Sequence, residues 1–109
     1  MKRTPMTVRG AETLRAELRG EDHAFRVGGE EFIVLLARCD AAGALATAER
    51  IREQVAATPA RVGPASVPVT VSVGVALWRP GRSFEETQDV ADEALYAAKH
   101  AGRNRCLSA

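Results

Sequence analysis

Three groups of residues in this 109-residue chain have types and spacings that could do chemistry. The first is Gly28-Gly29-Glu30-Glu31, set between the β-prone runs Phe25-Arg26-Val27 and Phe32-Ile33-Val34-Leu35-Leu36. A Gly-Gly pair can supply positive φ at both central positions of a tight hairpin turn, and its bare backbone lets a phosphate chain or another backbone come close. Glu30 and Glu31, adjacent on a returning strand, point to opposite faces, so one can serve a ligand while the other serves the fold. The second group is Lys99 and Arg103, four apart across the end of a helical segment, a spacing that lets two cations converge on one anion. Cations there also complement the helix dipole. The third is Arg19-Gly20-Glu21-Asp22, an arginine with an acid three residues on. Guanidinium forks suit a phosphate or a guanine edge and can stack on the base, although an arginine ending a helix beside an acid is common on any surface.

The elements that must position these groups follow from periodicity and punctuation. Thr4-Pro5 reads as an N-cap and first-turn proline of a helix over about 5–19, stopped by Gly20. A hairpin then runs out over 23–27 and back over 30–36, and the Phe32 to Leu36 run predicts a strand buried on both faces, internal to a sheet. Asp40 caps a second helix to about Ala57, with Ala44, Leu45, Ala48, Ile51 and Val55 as its inner stripe. Residues 59–68, with three prolines and Gly63, read as a loop. The alternation from Val69 to Leu77 predicts a strand in which Gly74 permits close packing. After a turn at Pro80-Gly81, Ser83 and Glu86 form a capping box for a third helix to about Ala101, ended by Gly102, and a short strand follows over 104–107. The order helix, hairpin, helix, strand, helix describes a single α+β domain over residues 1–109, with helices against a mostly antiparallel sheet.

Composition narrows the function classes. A net charge of +1 gives no overall electrostatic case for nucleic acid, so any anion site must be local. The longest apolar run, Phe32 to Ala37, is far shorter than the ~18 residues of a membrane helix, which predicts a soluble, cytoplasmic chain with no membrane segment. Cys39 and Cys106 form no CxxC pair and read as two reduced thiols rather than a disulfide or metal site.

Arg26-Val27-Gly28-Gly29-Glu30-Glu31-Phe32 resembles the signature of the GGDEF family, the bacterial diguanylate cyclases, in its GGEEF form. Val69 to Ala76 and the run from Ala91 through Asp92, Lys99 and Gly102 to Asn104 resemble that family's later strand and its final helix and turn. The three motifs stand in the family's order and cover roughly residues 10–107. The resemblance implies a ferredoxin-like, palm-type domain that joins two GTP molecules into cyclic di-GMP with the help of Mg²⁺ or Mn²⁺. It implies that Glu30 is a metal ligand, that Gly28 and Gly29 let the nucleotide lie against the turn, and that Lys99 and Arg103 contact triphosphate oxygens. Arg19, Asp22 and Arg50 fall where the family has an inhibitory site for its own product.

The front of the chain departs from that pattern. A complete domain begins with a strand carrying a metal-binding aspartate and a helix that reads guanine, and nothing here matches them; Thr4 falls near one of the guanine-reading positions. The expectation is therefore an N-terminally shortened domain, catalytically impaired by itself. Its alternative is a non-catalytic module that binds cyclic di-GMP or supports dimerisation. The missing strand would lie centrally, between the hairpin and the Val69 to Leu77 strand. The chain is expected either to pair those two strands directly or to accept a strand from a second copy, as a homodimer or larger assembly.

Overall fold

The computed structural model describes residues 2–5, 16–28 and 31–109. These residues form seven strands and two long helices: β1 (Lys2–Pro5), β2 (His23–Gly28), β3 (Glu31–Leu35), α1 (Ala41–Ala57), β4 (Ala60–Val62), β5 (Ala65–Val67), β6 (Val73–Val75), α2 (Phe84–His100) and β7 (Cys106–Ser108). Five strands make one sheet in the order β2-β3-β1-β6-β7, and β4 and β5 pair with each other in a separate hairpin. Every pairing is antiparallel except that of β6 with β7.

Each helix covers one face of the sheet, and alternation along the strands sorts the side chains between them. Val34, Val71, Val73 and Val75 pack with Ala44, Ala48, Ile51 and Val55 of α1. Ile33 and Ala76 pack with Ala91 of α2 on the opposite face. β3 is thus buried on both sides and internal, as its unbroken apolar run predicts. Gly74 points at α2 so closely that a Cβ there would meet the Ala91 carbonyl and the Leu95 backbone nitrogen, with the Leu95 Cα at 3.0 Å. The absence of a side chain is what lets the helix axis approach the strand. Both caps form as expected. Asp40 Oδ1 accepts from the Gly43 N–H at 2.7 Å, and Ser83 and Glu86 close a reciprocal capping box.

Four expectations are corrected. Thr4 and Pro5 lie in β1 rather than at a helix start, because a residue preceding proline is pushed from the helical region toward extended backbone and neighbouring strands offer ladder bonds on both sides. Residues 16–17 are helical but 18–19 are not, and residues 6–15 of the expected first helix lie outside the described residues. The centre of the sheet is neither closed by direct β3–β6 pairing nor opened to a second copy, since β1 of the same chain pairs with both. Residues 59–68 contain the β4–β5 hairpin, whose turn sets Gly63 at φ +59° before the proline, the combination a type II′ turn uses. The ladder of the expected Val69 to Leu77 strand is confined to β6, although residues 71–76 are all buried.

Candidate functional site

The outgoing strand of the acidic hairpin runs one residue further than its sequence suggests. Arg26 pairs with Phe32 and Gly28 with Glu31, so Val27 is an extra, bulged residue and Gly28 belongs to the strand rather than to the turn. Gly29 and Glu30 themselves lie outside the described residues. Pro5 of β1 stands opposite Glu31, so the end of β1 lies beside the hairpin end of β3.

Lys99 and Arg103 are carried by the termination of α2. Ala101 is the C-cap and Gly102 follows at φ +121°; the Arg103 N–H donates to the Ala98 carbonyl at 3.0 Å and the Gly102 N–H to the Lys99 carbonyl at 3.4 Å. This is the Schellman closure that glycine makes possible. Arg103 and Asn104 continue at φ +62° and +47°, so Arg103 has left the helix and helical four-residue spacing no longer relates it to Lys99. Two residues that sequence reasoning left aside hold this turn. Arg105 Nε donates to the Arg103 carbonyl at 3.1 Å, and Arg52 of α1 donates to Asn104 Oδ1 at 3.1 Å. Arg52 is itself oriented by Glu49 at 2.9 Å. The Arg52 hydrogen bond, helped by hydrogen bonds from Cys106, holds the Glu49 carboxyl below the ordinary carboxylate range against the opposing effect of burial. The same pairing raises Arg52. Among the described residues no ion pair engages Lys99 or Arg103.

Register brings the two groups to one end of the sheet. β1 meets β3 through Pro5 and Glu31 at the hairpin end and through Lys2 and Val34 at the other. Lys2 also pairs with Val75, and Val73 with Cys106, so the turn leading into β7 is at the hairpin end as well. Three strand spacings of about 4.8 Å, roughly 14 Å in all, separate β3 from β7. Among the described residues no group of three or more His, Cys, Asp or Glu side chains suited to a metal occurs, and the sequence of β1 carries Lys2 and Arg3 but no carboxylate.

Arg19, Asp22 and Arg50 gather at the opposite end. The Asp22 carboxylate accepts the Arg19 N–H through Oδ2 and the Ala37 N–H through Oδ1, each at 2.9 Å. It therefore ties the turn before β2 to the chain leaving β3, and its two oxygens are engaged by backbone. Arg19 and Arg50 line one open cavity of about 490 Å³ with Cys39, Asp40, Gly43 and Thr47. Arg50 is braced by Glu17 at 3.4 Å and by Thr47 Oγ1 at 3.2 Å. The cavity holds a third arginine that sequence reasoning missed, Arg38, at φ +50° and paired with Glu21 at 3.1 Å. No periodicity or motif marks Arg38; its place is set by the strand-to-helix turn.

Comparison with known proteins converges on one family. The family model for the diguanylate cyclase GGDEF domain matches residues 8–105. Diguanylate cyclase DgcM of Escherichia coli is 45% identical over 100 residues, 91% of this chain and 23% of that protein. Diguanylate cyclase DosC of the same organism is 39% identical over 89 residues, 81% of this chain and 19% of that protein. The chain thus spans about a fifth of the length of these relatives. Among solved structures, diguanylate cyclase SiaD of Pseudomonas aeruginosa, in complex with its activator SiaC, superposes with a TM-score of 0.92 at 32% identity, covering 99% of this chain and 48% of that one. The GGDEF domain of DgcB from Caulobacter crescentus, in complex with c-di-GMP, gives 0.90 at 26% identity, covering 98% and 75%.

Proposed function

The chain belongs to the GGDEF family of diguanylate cyclase domains, and from that premise we propose a two-ended nucleotide-handling module. GTP is the substrate class at the hairpin end and cyclic di-GMP, its cyclised product, the ligand of the arginine cavity. The observation that carries this reading is the sorting of charged groups by sheet register. Gly28, Glu31, Lys99 and Arg103 belong to one end, and Arg19 and Arg50 share a cavity at the other. In this reading Gly28 and Gly29 give the triphosphate close approach to backbone, and Lys99 and Arg103 neutralise phosphate charge. Arg19 and Arg50 grip the product, with Asp22 fixing the turn that presents Arg19.

The family's chemistry has each 3′-hydroxyl attack the other nucleotide's α-phosphorus, breaking the bond to pyrophosphate. Divalent cations, Mg²⁺ or Mn²⁺, would spread the developing charge. By the family's pattern Glu30 is the carboxylate this chain offers such a cation; with one protein carboxylate the rest of the octahedral shell would come from phosphate oxygens and water, which leaves less protein charge to offset the ion. No catalytic step through the metal follows from these residues. By itself the 109-residue chain is therefore proposed to bind both nucleotides while forming little product. The test is incubation of purified chain with GTP and Mg²⁺ or Mn²⁺, followed by chromatography. The expected result is a trace of cyclic product at most; turnover that Glu30→Ala abolishes would overturn the claim. For the binding half, Arg19→Ala and Arg50→Ala should each weaken cyclic di-GMP binding by about one to two powers of ten, since charge-assisted hydrogen bonds are worth roughly 1.5–3 kcal/mol. Unchanged affinity in both would remove the arginine cavity from the account.

A further inference from the structure

We propose that Arg38 is a third ligand-binding arginine of the far-end cavity, and that Glu21 competes with the ligand for it. The inference rests on the reading of that cavity as a cyclic di-GMP site and extends it to a residue no motif marks. Arg38 lines the same cavity as Arg19 and Arg50. Its side chain is 84% exposed and reaches Glu21, itself 55% exposed, at 3.1 Å. An ion pair that open to water holds its partners weakly, so a phosphate arriving in the cavity can take the guanidinium from the carboxylate. Arg50 is also held by a carboxylate, its Nε 3.4 Å from Glu17 Oε2, in a less open pair whose side chains are 56% and 24% exposed. Arg19, by contrast, has no side-chain partner among the described residues. Two of the cavity's three guanidinium groups are thus held by carboxylates from the segment that carries Arg19, residues 17 and 21. Asp40, also in the cavity wall, has its Oδ1 engaged by the Gly43 N–H. A bis-phosphate ligand that displaced both glutamates would meet three cations at once, and guanidinium is the group best shaped to take phosphate oxygens in pairs.

The backbone of Arg38 provides a clean test. Its φ of +50° lies in the left-handed region, where glycine is the residue best tolerated. Arg38→Gly therefore removes the guanidinium and relieves the turn in one step, and its unfolding midpoint should equal or exceed that of the parent. Calorimetric titration of the full chain with cyclic di-GMP should show Arg38→Gly binding about tenfold more weakly, the lower end expected for loss of one charge-assisted contact. Glu21→Gln, which frees Arg38, should bind about two- to fivefold more tightly, in keeping with an exposed ion pair. Parent affinity in Arg38→Gly, or unchanged or weaker affinity in Glu21→Gln, overturns the inference while leaving the cavity reading in place. A parent chain that does not bind cyclic di-GMP overturns both.

Discussion

Asp22 does its work through backbone. Its two oxygens take the N–H groups of Arg19 and Ala37, the latter part-buried, so removing the carboxylate unsatisfies a donor as well as loosening a turn. Asp22→Ala should cost about 1–3 kcal/mol in urea denaturation, the usual penalty for an orphaned buried group. A change within error would mean that water replaces the carboxylate at Ala37. Glu49 supplies a pH-dependent counterpart. Its carboxyl is held low by Arg52 and Cys106, so its contribution is fully present above the ordinary carboxylate pKa and fades as pH falls through the depressed folded value. Glu49→Gln should be less stable than the parent at neutral pH, and the gap should close in the acid range. Because the Glu49 side chain is 38% exposed and water screens the pair, the gap should be at most about 1 kcal/mol. A gap that widens on acidification would assign the shift to another cause.

At the scale of elements, the β6–α2 contact is the least forgiving. Gly74 faces the α2 backbone at Ala91 and Leu95, and backbone cannot swing aside as a flexible side chain can. Gly74→Ala should destabilise by about 1–3 kcal/mol or more, or leave the chain unfolded, as read by thermal melting. A melting temperature equal to the parent's would mean that α2 can shift. Elements with strong local signals were legible in the sequence: the Asp40 cap and apolar stripe of α1, the Ser83–Glu86 box of α2, and the two-sided burial of β3. Elements defined by their partners were not. β1 is a four-residue segment whose Thr4-Pro5 looks like a helix cap until β3 and β6 flank it. The β4–β5 hairpin pairs only with itself and exposes Val62 and Val67, so its prolines outweighed its two short runs. The extra residue at Val27, which carries Gly28 into the strand, depends on pairing register and leaves no mark in composition. Of the candidate site, the motif residues were readable, whereas the turn-holding contacts of Arg52 and Arg105 and the presence of Arg38 needed the folded chain.

For the whole molecule, the proposed reading makes the sheet a spacer between two anion-binding corners. β1 completes it from within, removing the reason to expect that a second copy must supply the central strand. No helix among the described residues is long and apolar enough to cross a membrane. The separation of the corners is the central claim, and amide chemical-shift mapping reads both at once. Titration of isotopically labelled chain with cyclic di-GMP should move the signals of Arg19, Asp22, Arg38 and Gly43 and leave Gly102 to Arg105 in place. Titration with GTP should do the reverse, moving Gly28, Glu31 and Gly102 to Arg105 while sparing Arg19 and Gly43. Shifts in the same set for both nucleotides, or cyclic di-GMP shifts confined to the hairpin end, would contradict it.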